Sequence, residues 1–303
     1  MSVLSAPHFH DEQKAYDFVE AMIWPKGPVC PHCKATARVS KMQGKSTRIG
    51  TYKCYSCRKP FTVKIGTIFE ASHIPLRIWL QAIFLLSSSK KGISSNQLHR
   101  ALGVTLKSAW FMAHRIREAM RAGSLAPMGG GGGIVEIDET FIGRKPGAAM
   151  AGGGTAHKNA VVTLVSRDGE ARSFHVAHAS SDNILPIVRR NLASEAKVVT
   201  DDAGYYRNLN AEYMHAYVNH SAGQWGRGEI HTNTIEGYFS IFKRGMKGVY
   251  QHCSEKHLHR YLADFDFRYS HRVRLGVDDA QRAECTLKGI VGKRLTYKAA
   301  DKR

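Results

Sequence analysis

The chain has 303 residues, no long apolar run, no nucleotide-binding loop, few acids and only six cysteines. Each shortage excludes a class of protein. The most apolar stretch, Ile78 to Leu86, is interrupted by Gln81 and falls far short of the roughly 20 residues a membrane span needs. The first twenty residues carry Asp11, Glu12, Asp17 and Glu20 and lack the basic-then-apolar order of a secretory signal, so a cytoplasmic location, in reach of the nucleoid, is expected. Gly44-Lys45-Ser46-Thr47 resembles the end of a phosphate-binding loop, but the glycine required five positions earlier is Val39, and no ATP site follows. The length excludes a disulfide-stapled miniprotein. Asp and Glu total 25 against 44 Lys and Arg, a formal net charge of +19, which makes nucleic acid the expected partner. Hydrophobic residues at 43% and charged ones at 23% lie near globular averages, so the charge is spread over a folded protein.

Four of the six cysteines form two tight pairs, Cys30-Pro-His-Cys33 and Cys54-Tyr-Ser-Cys57. Paired thiols in a reducing compartment point to metal, and two such knuckles fill a tetrahedral zinc ion with no open position. The short alternations from Thr36 to Thr51 and the run Phe61-Thr62-Val63 complete a small four-cysteine zinc ribbon with one structural Zn2+. From Pro75 to Ala122 the period becomes helical. A helix holding Trp79, Ile83 and Leu86 precedes a serine-capped helix from Ser94, a turn at Gly103, and a basic helix from Thr105 with Trp110, His114, Arg115, Arg117 and Arg121. That is a helix-turn-helix-like order, in which the last helix reads DNA; Lys107, Arg115 and Arg117 are the candidate DNA-binding residues. The glycine run from Gly129 to Gly133 reads as a flexible linker.

Beyond it, Ile134 to Asp138, Ala160 to Val165 and Ser173 to Val176 read as three strands, with Asp168-Gly169 as a hairpin turn. A helix from Asp182 to Leu192, a strand from Lys197 to Asp201, a short strand at Ala216 to Val218 and a helix from Thr234 to Lys243 follow. This β-β-β-α-β-α-β-α order indicates an α/β mixed sheet resembling ribonuclease H. Ligands collect beyond strand ends in such sheets, which makes Asp138 and Asp201, each closing an apolar strand, candidates for one site. Glu236 supplies a third oxygen from a neighbouring helix. Oxygen donors without thiol or imidazole suit Mg2+ or Mn2+, and two such ions activate attack on a phosphodiester. Lys243 lies two helical turns after Glu236 and Asn233 one turn before it, so both share its face, and Lys243 is placed to hold a phosphate. Glu136 shares a strand face with Asp138 and is a weaker candidate.

The cysteine pairs, then Ile137-Asp138-Glu139-Thr140-Phe141-Ile142-Gly143, Thr200-Asp201-Asp202 with Tyr206, and His231-Thr232-Asn233-Thr234-Ile235-Glu236-Gly237 with Lys243-Arg244, resemble bacterial DDE insertion-sequence transposases related to the Merlin superfamily. The resemblance spans about residues 25–270 and implies that Asp138, Asp201 and Glu236 are the metal-binding catalytic triad of a ribonuclease H-like domain. It implies cleavage and strand transfer at the inverted repeats of an insertion sequence, with target DNA as second substrate and a homodimer or higher assembly on DNA. Asp202 beside Asp201, and Asn233 before Glu236, stay open as alternative ligands. A DNA-binding regulator derived from a transposase without catalysis, and a structure-specific nuclease of the same fold, are the rival functions. The expected domains are residues 1–66 (helix and ribbon), 67–125 (helical), 126–270 (catalytic) and a basic tail at 271–303.

Overall fold

The computed structural model describes residues 2–121, 123, 125–148, 154–224 and 226–296. Residues 149–153 of the glycine-rich stretch Gly147 to Gly154, and the tail cations Lys298, Lys302 and Arg303, lie outside the described residues. In chain order the elements are α1 (Glu12–Ile23), β1 (Val39–Lys41), β2 (Tyr52–Cys54), β3 (Pro60–Phe61), α2 (Leu76–Ser88), α3 (Ser95–Leu102) and α4 (Leu106–Met120). Then come β4 (Ile134–Ile142), β5 (Asn159–Ser166), β6 (Ala171–Val176), α5 (Ser181–Asn191), β7 (Lys197–Asp201), β8 (Met214–Val218), α6 (Asn233–Gly245), α7 (Glu255–Ser270) and α8 (Asp279–Lys288). Among the described residues no helix is long and apolar enough to cross a membrane.

Two compact units result. The first joins residues 1–89, 93–121 and 277–303. Ribbon and helices thus fall in one compact unit, which α8 also joins. Leu76, Trp79, Leu80, Ile83 and Leu86 of α2 are buried, as are Ala283 and Leu287 of α8. Thr286 of α8 meets Ser87 of α2 hydroxyl to hydroxyl at 3.0 Å, and Arg282 donates to the Ser87 carbonyl at 3.1 Å. Glu12 accepts the N–H groups of Leu76 and Arg77 at 2.6 and 3.1 Å, satisfying two of the orphan donors at the start of α2. α3 ends at Gly103, whose φ of 64° is left-handed, and Thr105 caps α4 by accepting from the Ser108 N–H at 3.1 Å. The helix-turn-helix order is therefore built as the caps dictate.

The second unit holds residues 90–92 and 122–276. Its sheet has the order β6-β5-β4-β7-β8, antiparallel between β4, β5 and β6 and parallel from β4 to β7 to β8. That is the mixed sheet of a ribonuclease H-like fold. Every residue of β5 is buried, because both faces are covered. Ala160, Val162 and Leu164 pack with Ile184 and Val188 of α5 on one face. Val161 and Val165 pack with Tyr238 and Phe242 of α6 and with Leu258 and Phe265 of α7 on the other. Between β7 and β8 the chain forms a 3-10 helix, Gly204–Ala211.

The glycine run is not a free linker. Met128 is buried and donates its N–H to the Asn191 carbonyl at 2.7 Å, and Lys197 donates to the Gly133 carbonyl at 3.1 Å. Gly129, at φ 75°, lies so close to Ala196 that an added Cβ would stand 2.6 Å from the alanine methyl. Composition suggested flexibility; close approach of backbone to backbone is what the glycines supply.

Candidate active site

Strand β4 alternates Val135, Ile137 and Glu139 toward α5 with Glu136 and Asp138 toward α6. Its parallel ladder with β7 ends at the pair Glu136 and Val199, and two residues further along each strand come Asp138 and Asp201. Asp138 therefore does not close its strand, as the apolar pattern suggested. β4 continues to Ile142 against β5, and Asp138 sits where β7 leaves it. At this parting, one carboxylate oxygen each from Asp138, Glu139 and Asp201 lie within 4.8 Å of one another.

The crowding perturbs all three. Asp138 is pushed up to about 8, first by burial and then by the charges of Glu139 and Asp201, while Lys243 pulls the other way. Burial also raises Glu139 and Asp201. Glu139 is steadied by the Tyr205 hydroxyl and by that of Tyr206 at 2.9 Å, Asp138 accepts the Glu139 N–H at 2.7 Å, and Asp201 accepts the Ala203 N–H at 3.1 Å. Half-buried carboxylates whose charged forms are disfavoured by burial fit a divalent cation, which supplies the compensating charge. The donor set is all oxygen, as Mg2+ and Mn2+ require.

Glu236 is not in this cluster. It is exposed on the first turn of α6 and accepts the Thr232 hydroxyl at 2.8 Å. Thr232 lies 3.5 Å from His220 Nε2, and His220 is close enough to favour the charged form of Asp201. Lys243 is exposed, with its ammonium 5.6 Å from the Phe239 ring and its charge felt at Asp138. Asn233 is exposed at the start of α6, and Asp202 is not among the converging carboxylates.

Glu136 proves structural. Fully buried, it accepts the Arg167 Nε–H at 2.9 Å and the Ile235 N–H at 2.9 Å, and His231 lies 3.4 Å away. One carboxylate thus ties the β5–β6 turn and the beginning of α6 to the strand that carries Asp138. Glu139, Arg167 and His220 were missed. Glu139 lies inside the quoted motif, but the two-residue strand period points it to the opposite face from Asp138, and only the adjacent tyrosines Tyr205 and Tyr206 signal its partner.

In the first unit the Sγ atoms of Cys30, Cys33, Cys54 and Cys57 lie within 4.8 Å of one another, with Cys30 to Cys57 at 3.7 Å and Cys33 to Cys54 at 3.6 Å. A tetrahedron with zinc–sulfur bonds of about 2.3 Å has edges of about 3.8 Å, so the four fit one structural zinc ion. The Cys54 thiol is lowered to about 6, chiefly by the N–H of Cys57. Lys34 and Arg58, each following the second cysteine of a pair, have left-handed φ of 63° and 62°.

The basic face of α4 needs correction. Lys107 is exposed, but Arg117 is 1% exposed, and Arg115 is buried with its guanidinium on the carbonyls of Ile68 and Glu70 at 2.7 and 2.8 Å. The apolar period of α4 runs along its whole length and drew these arginines inward, where Arg115 satisfies backbone. Exposure concentrates at its N-terminal turn, Thr105 to Lys107, and on Asn96, Gln97 and Arg100 of α3.

Comparison with known proteins finds two family matches and a relative. Residues 131–270 match the ISXO2-like transposase domain, and residues 10–60 match the transposase zinc-ribbon domain. An uncharacterized protein in transposable element ISH50 of Halobacterium salinarum is 26% identical over 277 residues, covering 86% of this chain and 91% of that protein.

Proposed function

We propose, from the premise that this chain belongs to the transposases whose zinc-ribbon and ISXO2-like domains it carries, that it cuts and joins DNA strands at the inverted repeats of its own insertion sequence. The observation that carries this reading is the convergence of Asp138 and Asp201 where β4 and β7 part. Divalent ions bound there, two Mg2+ or Mn2+, would make water and then a 3′-hydroxyl nucleophilic and stabilise the departing oxygen. Asp138 and Asp201 would hold the ions; Tyr205 and Tyr206 steady Glu139 beside them. Glu236 supplies the third donor of the family motif from α6, for which its bond from Thr232 must be released or shared. Lys243 holds a phosphate oxygen next to Asp138. Exchange of one phosphodiester for another is nearly balanced, so no ATP site is needed.

End recognition falls to the first unit. The exposed N-terminal turn of α4, with Lys107, is the part of a recognition helix that meets base edges. Surface lysines and arginines fix register on phosphates, so affinity falls steeply with salt. Joining two ends calls for at least two copies of the chain on DNA. The test incubates the protein with Mg2+ and duplex DNA carrying the element's end. Cleavage at the element boundary and joined products, both abolished by Asp138→Asn, are expected. Binding without cleavage favours the regulator, and cutting of arbitrary branched DNA without joining favours the nuclease.

A further inference from the structure

At the free edge of the sheet, β8 and the end of the 3-10 helix before it frame an open cleft of about 490 Å³. Asn210, Tyr213, His215, Tyr217, Gln224 and Arg227 line it, and among the described residues its lining contains no carboxylate. We propose that this cleft takes one unpaired nucleotide of the DNA strand whose neighbouring phosphate lies at Asp138 and Asp201. The proposal rests on the function argued above and adds a subsite to it.

Three independent features lead there. The first is ring chemistry. Tyr217 is 52% exposed on an edge strand, and Tyr213 stands at the same rim. The His215 ring is fixed by Thr200 Oγ1 at 2.9 Å and Asn210 Oδ1 at 2.6 Å, and burial lowers its pKa. Aromatic faces that meet solvent stack on bases of any sequence. A paired base shows only its edges in the grooves, so these faces are reached by a nucleotide outside the duplex. The second is charge. Arg227 is exposed and brings a cation for the phosphate, and the amides of Asn210 and Gln224 match the donors and acceptors of a base edge. The third is position. Tyr217 is paired with Thr200 across the β7–β8 ladder, and Asp201, the next and last residue of β7, projects from the opposite face of the sheet. The cleft therefore begins one strand spacing, about 4.8 Å, from the end of β7, and a DNA strand held at Asp201 reaches it around that end.

The test is fluorescence anisotropy on the full chain without added divalent ion, using a labelled oligothymidylate and a labelled blunt duplex of equal length. Tyr217→Ala is expected to lower oligothymidylate affinity roughly tenfold, the loss of one stacked base, and to leave duplex affinity unchanged. Tyr217→Phe keeps the ring and keeps the affinity. Arg227→Ala lowers oligothymidylate affinity and flattens its salt dependence. Unchanged oligothymidylate binding by Tyr217→Ala, or an equal fall for Tyr217→Ala and Tyr217→Phe, overturns the proposal. So does a change in solution mass of Tyr217→Ala, which would make this edge a strand-pairing interface between copies. If the native chain cleaves its duplex ends while Tyr217→Ala binds oligothymidylate normally, the subsite alone falls. If the native chain binds neither DNA, the functional reading falls with it.

Discussion

The molecule gathers like-charged ligands twice, and the two gatherings differ in how they are held. In the ribbon, four thiols come from two short loops; the N–H of Cys57 lowers the Cys54 thiol, while Cys33, against the pull of the Ala35 N–H, is pushed up to about 12 by burial and the neighbouring sulfurs. In the sheet unit, Asp138, Glu139 and Asp201 come from strands separated by some sixty residues of chain, and burial drives their carboxyls toward the neutral form. The first is assembled by local turns; the second depends on the register of two strands distant in sequence.

The largest effect that separates them is loss of the ribbon. Cys54→Ser should remove bound zinc and unfold this part of the chain, since structural zinc contributes on the order of 10 kcal/mol. Metal analysis and amide exchange over residues 10–60 check it, and persistence of a folded, zinc-loaded ribbon would erase the contrast. Asp138→Asn should lower strand cleavage by more than the roughly 10–100-fold typical of groups that merely orient a ligand, and Glu139→Gln should fall within that range. An equal loss in both, measured as single-turnover cleavage rates, would place Glu139 among the metal-holding groups. Glu236→Gln, assayed alongside, shows whether α6 supplies a donor.

A smaller effect concerns stability and its sign with pH. Asp138 has a folded pKa raised to about 8 against an ordinary 3.8, so ionising it opposes folding, and the metal-free chain loses stability as pH rises through this interval. Asp138→Asn should therefore raise the melting temperature of the metal-free protein at pH 8.5 while abolishing cleavage. In the native chain, Mg2+ binding should release protons at pH 7, which calorimetry in buffers of different ionisation enthalpy detects. Glu136→Gln should cost about 2–3 kcal/mol in urea denaturation, because the Arg167 guanidinium loses its charged partner. The smallest effect belongs to the ribbon. Arg58→Gly should stabilise it by about 1 kcal/mol, since glycine adopts the left-handed φ of 62° without strain.

Legibility in the sequence followed the distance over which each feature is assembled. The cysteine spacing sufficed for the zinc cluster, because both knuckles are local. The hairpin at Asp168-Gly169, the caps Ser94 and Thr105 and the turn at Gly103 were readable for the same reason. Asp138 and Asp201 were reachable because strand-end positions in a parallel sheet constrain where side chains meet. Register was not readable, so the sequence pattern stopped β4 at Asp138 rather than Ile142. Glu139 was hidden by the strand period, which separates it from Asp138 although the strands part there. Arg115 and Arg117 misled because charge alone does not say which face of a helix is buried; their neighbours Met112, Ala113 and Ile116 did. The return of α8 to α2 joins parts of the chain nearly two hundred residues apart and left no local trace.

Convergence of Asp138 and Asp201 on divalent metal is tested most directly by Mn2+ titration of the zinc-loaded protein, followed by electron paramagnetic resonance of the free ion. Saturable Mn2+ uptake by the native chain, lost in both Asp138→Asn and Asp201→Asn with zinc content unchanged, is the predicted result. Uptake that survives either substitution undiminished would contradict it.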